Sequence, residues 1–232
     1  MKKIALIPAR SGSKRIKNKN ILKVDGKPMM YYSIHHAIKS NIFDKVVVVT
    51  DNIKYAKIAK KYGALVPKLR PAWTATDSAP DIFWVNWILK TLKVENKKDI
   101  FCILRPTSPF RTHNTIIRAW KQFDKNKKEI DSLRAVEMCS QHPGKMWVKN
   151  KKLIKPIINK KIKGIPYHSN QFKSLPKILV QNACIEISWV KNVLKYKSIS
   201  GNKIMPFFTI KKEGIDINNK HDLNLINLKN FK

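Results

Sequence analysis

The sequence predicts an α/β protein in which a mostly parallel central sheet is covered by helices on both faces. Three observations lead to this class. Short apolar runs, such as residues 45–50 with four consecutive valines, do not alternate with polar residues, as is typical of strands buried on both faces. Segments with helical character follow these runs in turn over the first 140 residues. The length of 232 residues and the hydrophobic fraction of 43% are those of a globular domain.

The first part of the chain divides into alternating strands and helices. Strands are predicted at residues 4–8, 45–50, 64–67, 100–104 and 133–137. Helices are predicted at residues 28–38, 53–61, 80–92 and 114–123. Asn52 is placed to cap the second helix and Gly63 to end it, while Ser78 or Asp77 is placed to cap the third.

The alternating pattern stops between residues 140 and 176, where Lys-rich turns and little periodicity occur. We interpret this stretch as an insertion that leaves the sheet. Strands at residues 183–190 and 203–210 and a helix at residues 221–228 then resume the pattern. The sequence therefore predicts a single domain over residues 1–232, with residues 140–176 protruding from it.

The chain carries a large excess of positive charge, with 48 Lys and Arg against 15 Asp and Glu, a net charge of +33. Such a charge suits a nucleic-acid partner, which is one alternative class for the protein. The lysines are spread over the whole chain, however, without a stripe of Arg interleaved with aromatic residues. Lys, Asn and Ile share A/T-rich codons, so we favour compositional drift and do not expect nucleic-acid binding. The positive field would still attract anionic substrates.

Cysteine usage and hydropathy indicate a protein of a reducing compartment. Cys102, Cys139 and Cys184 are far apart in the sequence and form no metal-binding pair. The apolar run at residues 4–9 is too short for a signal peptide, and no segment is long enough to span a membrane. We expect a cytoplasmic protein with no membrane partner.

The turn after the first strand has the composition of a phosphate-binding site. Ser11, Gly12 and Ser13 let the backbone approach an anion and donate N–H groups to it. Positive charges surround this turn, at Arg10, Lys14, Arg15 and Lys19. The turn matches neither G-x-x-x-x-G-K-S/T nor G-x-G-x-x-G. Because ligands bind beyond the carboxyl ends of strands in such sheets, we predict a triphosphate cradle of another kind.

Acidic residues are scarce, so those at the ends of elements are informative. Asp216 lies in residues 214–218 (GIDIN), directly after a predicted strand. A carboxylate that faces a phosphate cradle is suited to holding a magnesium ion that bridges phosphates. We interpret Asp222 as charge pairing at a helix end. For Asp51, a cap or turn role and a nucleotide-binding role stay equally open.

Five motifs in order along the chain carry a resemblance to one family. They are residues 7–15 (IPARSGSKR) with 19–21 (KNI), 69–72 (LRPA) with 76–77 (TD), 104–111 (LRPTSPFR), 142–145 (HPGK) and 214–218 (GIDIN). Each motif alone is weakly specific. In this combination the chain resembles the CMP-acylneuraminate synthetases, the cytidylyltransferases that activate sialic acids, over nearly its whole length.

The resemblance implies a three-layer, nucleotide-diphospho-sugar transferase-like fold in which the insertion serves dimerisation, and hence a homodimer. It also implies the reaction. CTP and a 2-keto sugar acid of the nonulosonate type give a CMP-sugar and pyrophosphate, with Mg²⁺ or Mn²⁺ as the cofactor. The anomeric hydroxyl would attack the α-phosphorus in line, without a covalent intermediate, so alignment and charge stabilisation would supply the catalysis.

The resemblance further implies a role for each residue that matches a motif. Nucleotide and phosphate binding is expected from Arg10, Ser13, Lys14, Lys19 and Asn20, with Arg70 and Asp81 facing the cytosine. Sugar-acid binding is expected from Arg105, Thr107, Ser108, Lys145 and Asn182. The catalytic set is Arg10, Lys19 and Asp216, and the metal would be held by Asp216 and Asn218.

Several positions depart from the family pattern, and they leave the identity of the acid open. Arg105 stands where the family usually has Gln. Val180, Glu186 and Phe172 replace an Arg, a Tyr and a second Arg that are expected near the sugar. Asn218 replaces a second carboxylate of the metal motif and should weaken magnesium binding. A 3-deoxy-octulosonate or another acidic metabolite is therefore the alternative substrate, and a non-catalytic nucleotide-binding protein is the alternative class.

Overall fold

A six-stranded sheet forms the centre of the computed structural model, which describes residues 1–219 and 222–223. In chain order its strands are β1 (Lys3–Pro8), β2 (Lys45–Val49), β3 (Ile100–Ile103), β4 (Ser132–Met138), β5 (Leu179–Trp189) and β6 (Ile204–Phe208). Their order across the sheet is β6-β4-β5-β3-β1-β2. Strand β1 is parallel to both β2 and β3, whereas β5 is antiparallel to β3.

Within the described residues, five α-helices of seven or more residues cover the two faces of this sheet. They are α1 (Met29–Lys39), α2 (Ile53–Lys61), α3 (Asp81–Thr91), α4 (His113–Asn126) and α5 (Val190–Tyr196). On one face, Ala5 and Ile7 of β1 pack with buried residues of α1, α2 and α4. On the other face, Ile4 and Leu6 pack with buried residues of α3 and α5. Because successive side chains of a strand point to opposite faces, an uninterrupted apolar strand is what two helical layers require. The expected three-layer α/β class is confirmed.

Most predicted elements occur where the sequence places them. The side-chain oxygen of Asn52 accepts hydrogen bonds from the backbone N–H groups of Lys54 (2.8 Å) and Tyr55 (3.3 Å), so it caps α2 as expected. Gly63 follows that helix with a φ of +88°, a conformation that favours glycine. The strand predicted at residues 183–190 begins earlier, at Leu179.

Two local predictions are wrong. Residues 64–67 form no strand, because Leu65 makes only an isolated parallel bridge to Val47. Helix α3 has no side-chain cap, since Pro80 precedes it and neither Ser78 nor Asp77 binds its first turn. The carboxylate of Asp77 instead forms ion pairs with basic residues of the loop after β1. The helix expected at residues 221–228 falls outside the described residues, apart from 222 and 223.

Residues Val136–Gln181 form a second compact unit, and the expected insertion at 140–176 lies within these bounds. The unit contains two short hairpins, which pair Trp147–Asn150 with Leu153–Pro156 and Lys161–Ile162 with Ile165–Pro166. Its turn at 142–145 needs a glycine, because a Cβ on Gly144 would lie 2.8 Å from Nδ1 of His142. That nitrogen accepts the N–H of Gly144 at 2.9 Å.

Among the described residues, none of the helices combines the length and the apolar character that crossing a bilayer demands.

A row of imidazole rings joins α1 to the start of α4. His36 stacks on His113 with 6.0 Å between the ring centroids, and the ring of His35 lies beside His36. The Nδ1 atoms of His36 and His113 are buried and make no hydrogen bond within the described residues. Burial, with smaller contributions from the neighbouring His35 and Arg111, lowers the pKa of His36 to about 4.

We predict that this row makes the protein less stable in mild acid. The unfolded chain takes up a proton on His36 near pH 6.5, while the folded protein resists it to about pH 4. The contribution is therefore complete above pH 6.5 and is lost as the pH falls toward 4. Allowing for partial solvent screening, the loss should be about 2 kcal/mol. Urea unfolding of wild type and His36→Phe between pH 4 and 7 measures it, with His168→Phe as the control. Equal pH slopes in wild type and His36→Phe would contradict the prediction.

Candidate active site

Two segments distant in sequence meet beyond the carboxyl ends of the parallel strands. Ile16 and Val24, from the loop after β1, share a small buried cluster with Phe110 and Ile217. The N–H of Ile217 also donates to the carbonyl of Thr107 at 2.8 Å. These contacts hold residues 214–218 against residues 10–20, the basic loop.

The backbone of the basic loop is held by two side chains. Asp51 Oδ1 accepts the N–H of Ser11 (2.8 Å) and its Oδ2 accepts the hydroxyl of the same residue (3.0 Å). Asn20 is buried and donates its amide N–H to the carbonyl of Arg10 at 2.9 Å. Both side chains therefore position the turn. The contacts of Asp51 match the turn role that the sequence left open, while the helix cap is Asn52.

The cations of the loop divide into two groups with separate partners. Arg10 Nη1 and Lys14 Nζ contact the carboxylate of Asp77 at 2.7 and 2.6 Å. Lys19 Nζ donates to the carbonyl of Ile217 at 3.0 Å and lies 3.4 Å from Oδ1 of Asn218. Burial lowers the pKa of the Lys19 ammonium, and the charge of Asp216 partly opposes that shift. In the same loop Ser13 makes a backbone contact, from its N–H to the carbonyl of Ser11 at 2.9 Å.

The two carboxylate oxygens of Asp216 differ in their hydrogen bonding. Its Oδ2 accepts the side-chain N–H of Asn218 at 2.6 Å, while its Oδ1 is buried and has no hydrogen-bond partner within the described residues. Asp222 accepts the backbone N–H groups of Asn218 (2.7 Å) and Asn219 (3.0 Å), so it fixes this segment. The described residues contain no cluster of three His, Cys, Asp or Glu side chains able to hold a metal. Asp216 and Asp222 are the carboxylates that act on the charge of Lys19 among the described residues, with Asp216 the stronger.

A second charged cluster lies at the end of β3. Arg105 Nη2 donates to Asp81 Oδ2 (2.6 Å) and to Glu186 Oε1 (2.9 Å), and Arg134 Nη2 donates to Glu186 Oε2 (2.6 Å). Burial acts against the charged form of Arg105, but Glu186 and Asp81 outweigh it and raise the pKa of the guanidinium. Burial also acts on Asp81, yet Arg105 and the Trp84 N–H lower the pKa of that carboxyl. The cluster holds two guanidinium groups and two carboxyl groups, so their formal charges cancel.

The sequence analysis missed Arg134 and gave Glu186 no role. The alternation of side chains along their two strands indicates which face of the sheet each residue lies on. Leu133 and Ala135 pack on the α1 side of the sheet, so Arg134 points to the α3 side. Ile185 and Ile187 place Glu186 on that same side. A single charged residue at an alternate position of a buried strand needs a partner, but the partner cannot be named from sequence alone.

The two residues expected to face the cytosine both contact Trp84. Asp81 Oδ1 accepts its indole N–H at 2.7 Å, and the Arg70 guanidinium lies 5.6 Å from its ring centroid. Arg70 is buried, and its Nε and Nη2 bind the hydroxyl and the carbonyl of Thr74. Burial lowers the pKa of Arg70 to about 10. Their expected contact with the base stays a prediction.

The residues expected to bind the sugar acid lie in different settings. The carbonyl of Thr107 binds Ile217, and the buried hydroxyl of Ser108 has no partner within the described residues. Asn182 donates to the hydroxyl of Thr209 at 2.9 Å. Lys145 belongs to the second compact unit, where its Nζ donates to the carbonyl of His168 at 3.3 Å. Their roles toward a substrate stay predictions.

Arg111 is a further residue of the motif at 104–111, and it is wholly buried. It donates to the hydroxyl of Ser33 (2.6 Å) and to the carbonyls of Arg105 (3.2 Å) and Cys184. Burial lowers the pKa of its guanidinium. Because it contacts the backbone of Arg105, it positions the loop that carries the charged cluster.

Comparison with known proteins identifies the family. A family model described as cytidylyltransferase matches residues 4–175. The chain is 30% identical to the CMP-N,N'-diacetyllegionaminic acid synthase of Legionella pneumophila, over 96% of this chain and 93% of that protein. The protein is a member of the cytidylyltransferase family. The resemblance to CMP-acylneuraminate synthetases is thereby confirmed at the level of the family.

Two further relatives match this cytidylyltransferase over part of their length. The N-acylneuraminate cytidylyltransferase of Escherichia coli is 43% identical over 125 residues, which are 54% of this chain and 29% of that protein. The pseudaminic acid cytidylyltransferase of Campylobacter jejuni is 37% identical over 131 residues, 56% of each protein. The match thus spans less than two thirds of either relative.

Solved structures support the fold of this cytidylyltransferase. A CMP:2-keto-3-deoxy-manno-octonic acid synthetase complexed with CTP superposes with a TM-score of 0.70 at 16% identity, covering 97% of both chains. A cytidylyltransferase from Leptospira borgpetersenii gives a TM-score of 0.60 at 20% identity, covering 96% of this chain and 84% of the other. At these identities the likeness shows the fold alone.

We predict that the charged cluster behaves as one coupled unit. Removing one partner leaves the other charge largely buried, so Glu186→Gln and Arg134→Gln should each lower the free energy of unfolding by about 2 kcal/mol. The double variant should lose at least 1 kcal/mol less than the sum of the two. Chemical denaturation measures this cycle, and Lys127→Ala, in an exposed pair with Asp124, should cost under about 0.5 kcal/mol. Strictly additive losses would show that Glu186 and Arg134 are not coupled.

Proposed function

We propose that this cytidylyltransferase joins CTP to a 2-keto sugar acid of the nonulosonate type and releases the CMP-sugar and pyrophosphate. The observation that carries the proposal is the meeting of the basic loop with residues 214–218. Arg10 and Lys19 there provide fixed positive charge, and Asp216 provides a buried oxygen without a partner. The negative charges of a triphosphate would complement Arg10 and Lys19, and a cation bound to the triphosphate would complement Asp216.

The names of three relatives support the acidic substrate class. They refer to N-acylneuraminate, pseudaminic acid and N,N'-diacetyllegionaminic acid. The alternative substrate, a 3-deoxy-octulosonate, has support only from a structure that shares the fold at 16% identity. We therefore propose a nonulosonate first.

Magnesium or manganese is part of the proposal. Asp216 and Asn218 would hold the ion, and the unpartnered Oδ1 of Asp216 fits this purpose. When bound, the ion supplies charge neutralisation for the phosphates. With one carboxylate in the motif, most ligands must come from phosphate and water, so we expect metal binding to depend on the nucleotide.

The chain's own residues then perform three tasks. Asp51 and Asn20 hold the backbone of the turn so that it meets the phosphates without rearrangement. The anomeric hydroxyl of the acid attacks the α-phosphorus and loses its proton to water, while the bond from that phosphorus to the bridging oxygen of pyrophosphate breaks. Arg10 and Lys19 stabilise the charge that builds on the departing pyrophosphate. Arg105, whose Nε and Nη1 make no hydrogen bond within the described residues, would bind the carboxylate of the acid.

We also propose a homodimer in the cytoplasm. The hairpin of the second unit exposes apolar side chains, with Leu153 at 72% and Ile154 at 59% exposure, and a partner chain would cover them. The cysteines Cys102 and Cys184 are buried and unpaired, which suits a reducing compartment. Analytical ultracentrifugation of the full chain measures the oligomeric state.

The nucleotide should be CTP. We expect pyrophosphate release with CTP to exceed that with UTP, ATP or GTP by at least about tenfold, because Asp81 can accept from the cytosine amino group where uracil has a carbonyl. The assay pairs each triphosphate with N-acetylneuraminate, pseudaminate, legionaminate and 3-deoxy-manno-octulosonate. Equal turnover with UTP would contradict the nucleotide assignment, and turnover with the octulosonate alone would establish the alternative substrate.

Asp216 should be needed for turnover more than for nucleotide binding. Asp216→Asn is expected to lower turnover by at least about a hundredfold while the affinity for metal-free CTP changes by less than about threefold. Asn218→Asp, which adds a charged ligand, should tighten magnesium binding. Calorimetry of magnesium into nucleotide-free protein should show only weak binding. A tight, stoichiometric site would mean that another acidic residue completes a preformed cage.

A further inference from the structure

The segment between helices α2 and α3 places a carboxylate on two cations of the proposed phosphate site. Asp77 Oδ1 lies 2.7 Å from Nη1 of Arg10, and its Oδ2 lies 2.6 Å from Nζ of Lys14. The same Nη1 donates to the carbonyl of Ala75 at 3.2 Å. One anionic group thus contacts two cations, one through each oxygen, as two oxygens of a phosphate group would.

The excess of positive charge in this loop explains why Asp77 contacts Arg10 and Lys14. The chain has 15 acidic residues for 48 basic ones, and five basic residues lie close together in sequence in the loop after β1. Without a counter-ion, Arg10 and Lys14 would repel each other and their neighbours. The hydrogen bonds from Lys14 and Arg10 lower the pKa of Asp77, so its carboxylate is charged at neutral pH. The ion pairs are open to solvent, since 42% of the Asp77 side chain is exposed.

The segment that carries Asp77 lies between two fixed points. Arg70 holds Thr74 through both its hydroxyl and its carbonyl. Helix α3 begins at Asp81, whose carboxylate is bound by Trp84 and Arg105. Residues 76–78 between these points are exposed. A change in the partners of Asp77 therefore needs movement of a short surface segment, while its two ends stay in place.

We propose that Asp77 holds the place of a phosphate group in the nucleotide-free protein. Its carboxylate keeps Arg10 and Lys14 aligned in the empty site, and the incoming triphosphate displaces it from both cations. Asp77 is a positioning residue in this scheme, because it acts through the two cations and leaves them when the nucleotide binds. The identity of the displacing anion rests on the proposed function.

Removing the charge of Asp77 should therefore strengthen anion binding. Asp77→Asn is expected to lower the dissociation constants of both inorganic pyrophosphate and CTP about three- to tenfold. The reason is that the anion no longer has to displace a carboxylate from two exposed ion pairs. Asp77→Glu keeps the charge and should bind within about twofold of wild type. Asp124→Asn removes an exposed carboxylate on α4 and should have no effect. Isothermal titration calorimetry without metal measures all four proteins, and thermal unfolding checks that each is folded.

Steady-state kinetics, and binding measured with added magnesium, test whether Asp77 competes with the nucleotide or has another role in catalysis or metal binding. In Asp77→Asn the KM for CTP should fall with the dissociation constant, while kcat changes by less than about twofold. Unchanged or weaker binding of pyrophosphate in Asp77→Asn would overturn the proposal. Binding weakened only when magnesium is present would also overturn it, since Asp77 would then join the metal complex. Tighter pyrophosphate binding in a protein that turns over no sugar acid would uphold the inference while the proposed reaction fails.

Discussion

The parallel pairing of β1 with β2 and β3 is the constraint on which the site depends. Ile4–Pro8 pairs residue by residue with Lys45–Val49, and Lys3–Leu6 pairs with Ile100–Ile103. Because the three strands run the same way, the loops that leave them emerge at one edge of the sheet. The basic loop, Asp51 and Arg105 are brought together by this register. Both faces of β1 are buried, so a shift by one residue would exchange its two sets of packed side chains.

The few acidic side chains determine how positive charge is distributed at this edge of the sheet. Asp77 is shared between Arg10 and Lys14 of the basic loop, and Asp216 acts on Lys19, so the loop keeps a surplus of positive charge. At the end of β3, Asp81 and Glu186 balance two arginines completely. The edge of the sheet therefore has a cationic region suited to phosphates and a neutral region in which Arg105 can be held in one orientation. Both regions contain ion pairs between arginine and carboxylate. They differ in the ratio of positive to negative charges, which leaves one region cationic and the other neutral.

Two departures from the family pattern meet in the neutral region. Arg105 stands where the resemblance leads one to expect Gln, and Glu186 where it leads one to expect Tyr, and the two form an ion pair of 2.9 Å. If either position kept the expected residue, the other would lose one of its two charged partners, which is costly where exposure is low. The two positions therefore form a single structural change rather than two, and Arg134 completes it from the neighbouring strand.

The sequence by itself determined the alternation of strands and helices, the basic turn after β1 and the position of Asp216 after a strand. These depend on local information: buried strands read as apolar runs, and a small-residue turn between charges is recognisable where it stands. Only the tertiary structure decided that Asp77 binds Arg10 instead of capping α3, that Leu65 makes a single bridge, and that Arg134 partners Glu186. Each joins residues far apart in sequence, and with 48 cations for 15 carboxylates the choice of partner is made by which side chains the packed strands bring within hydrogen-bonding distance.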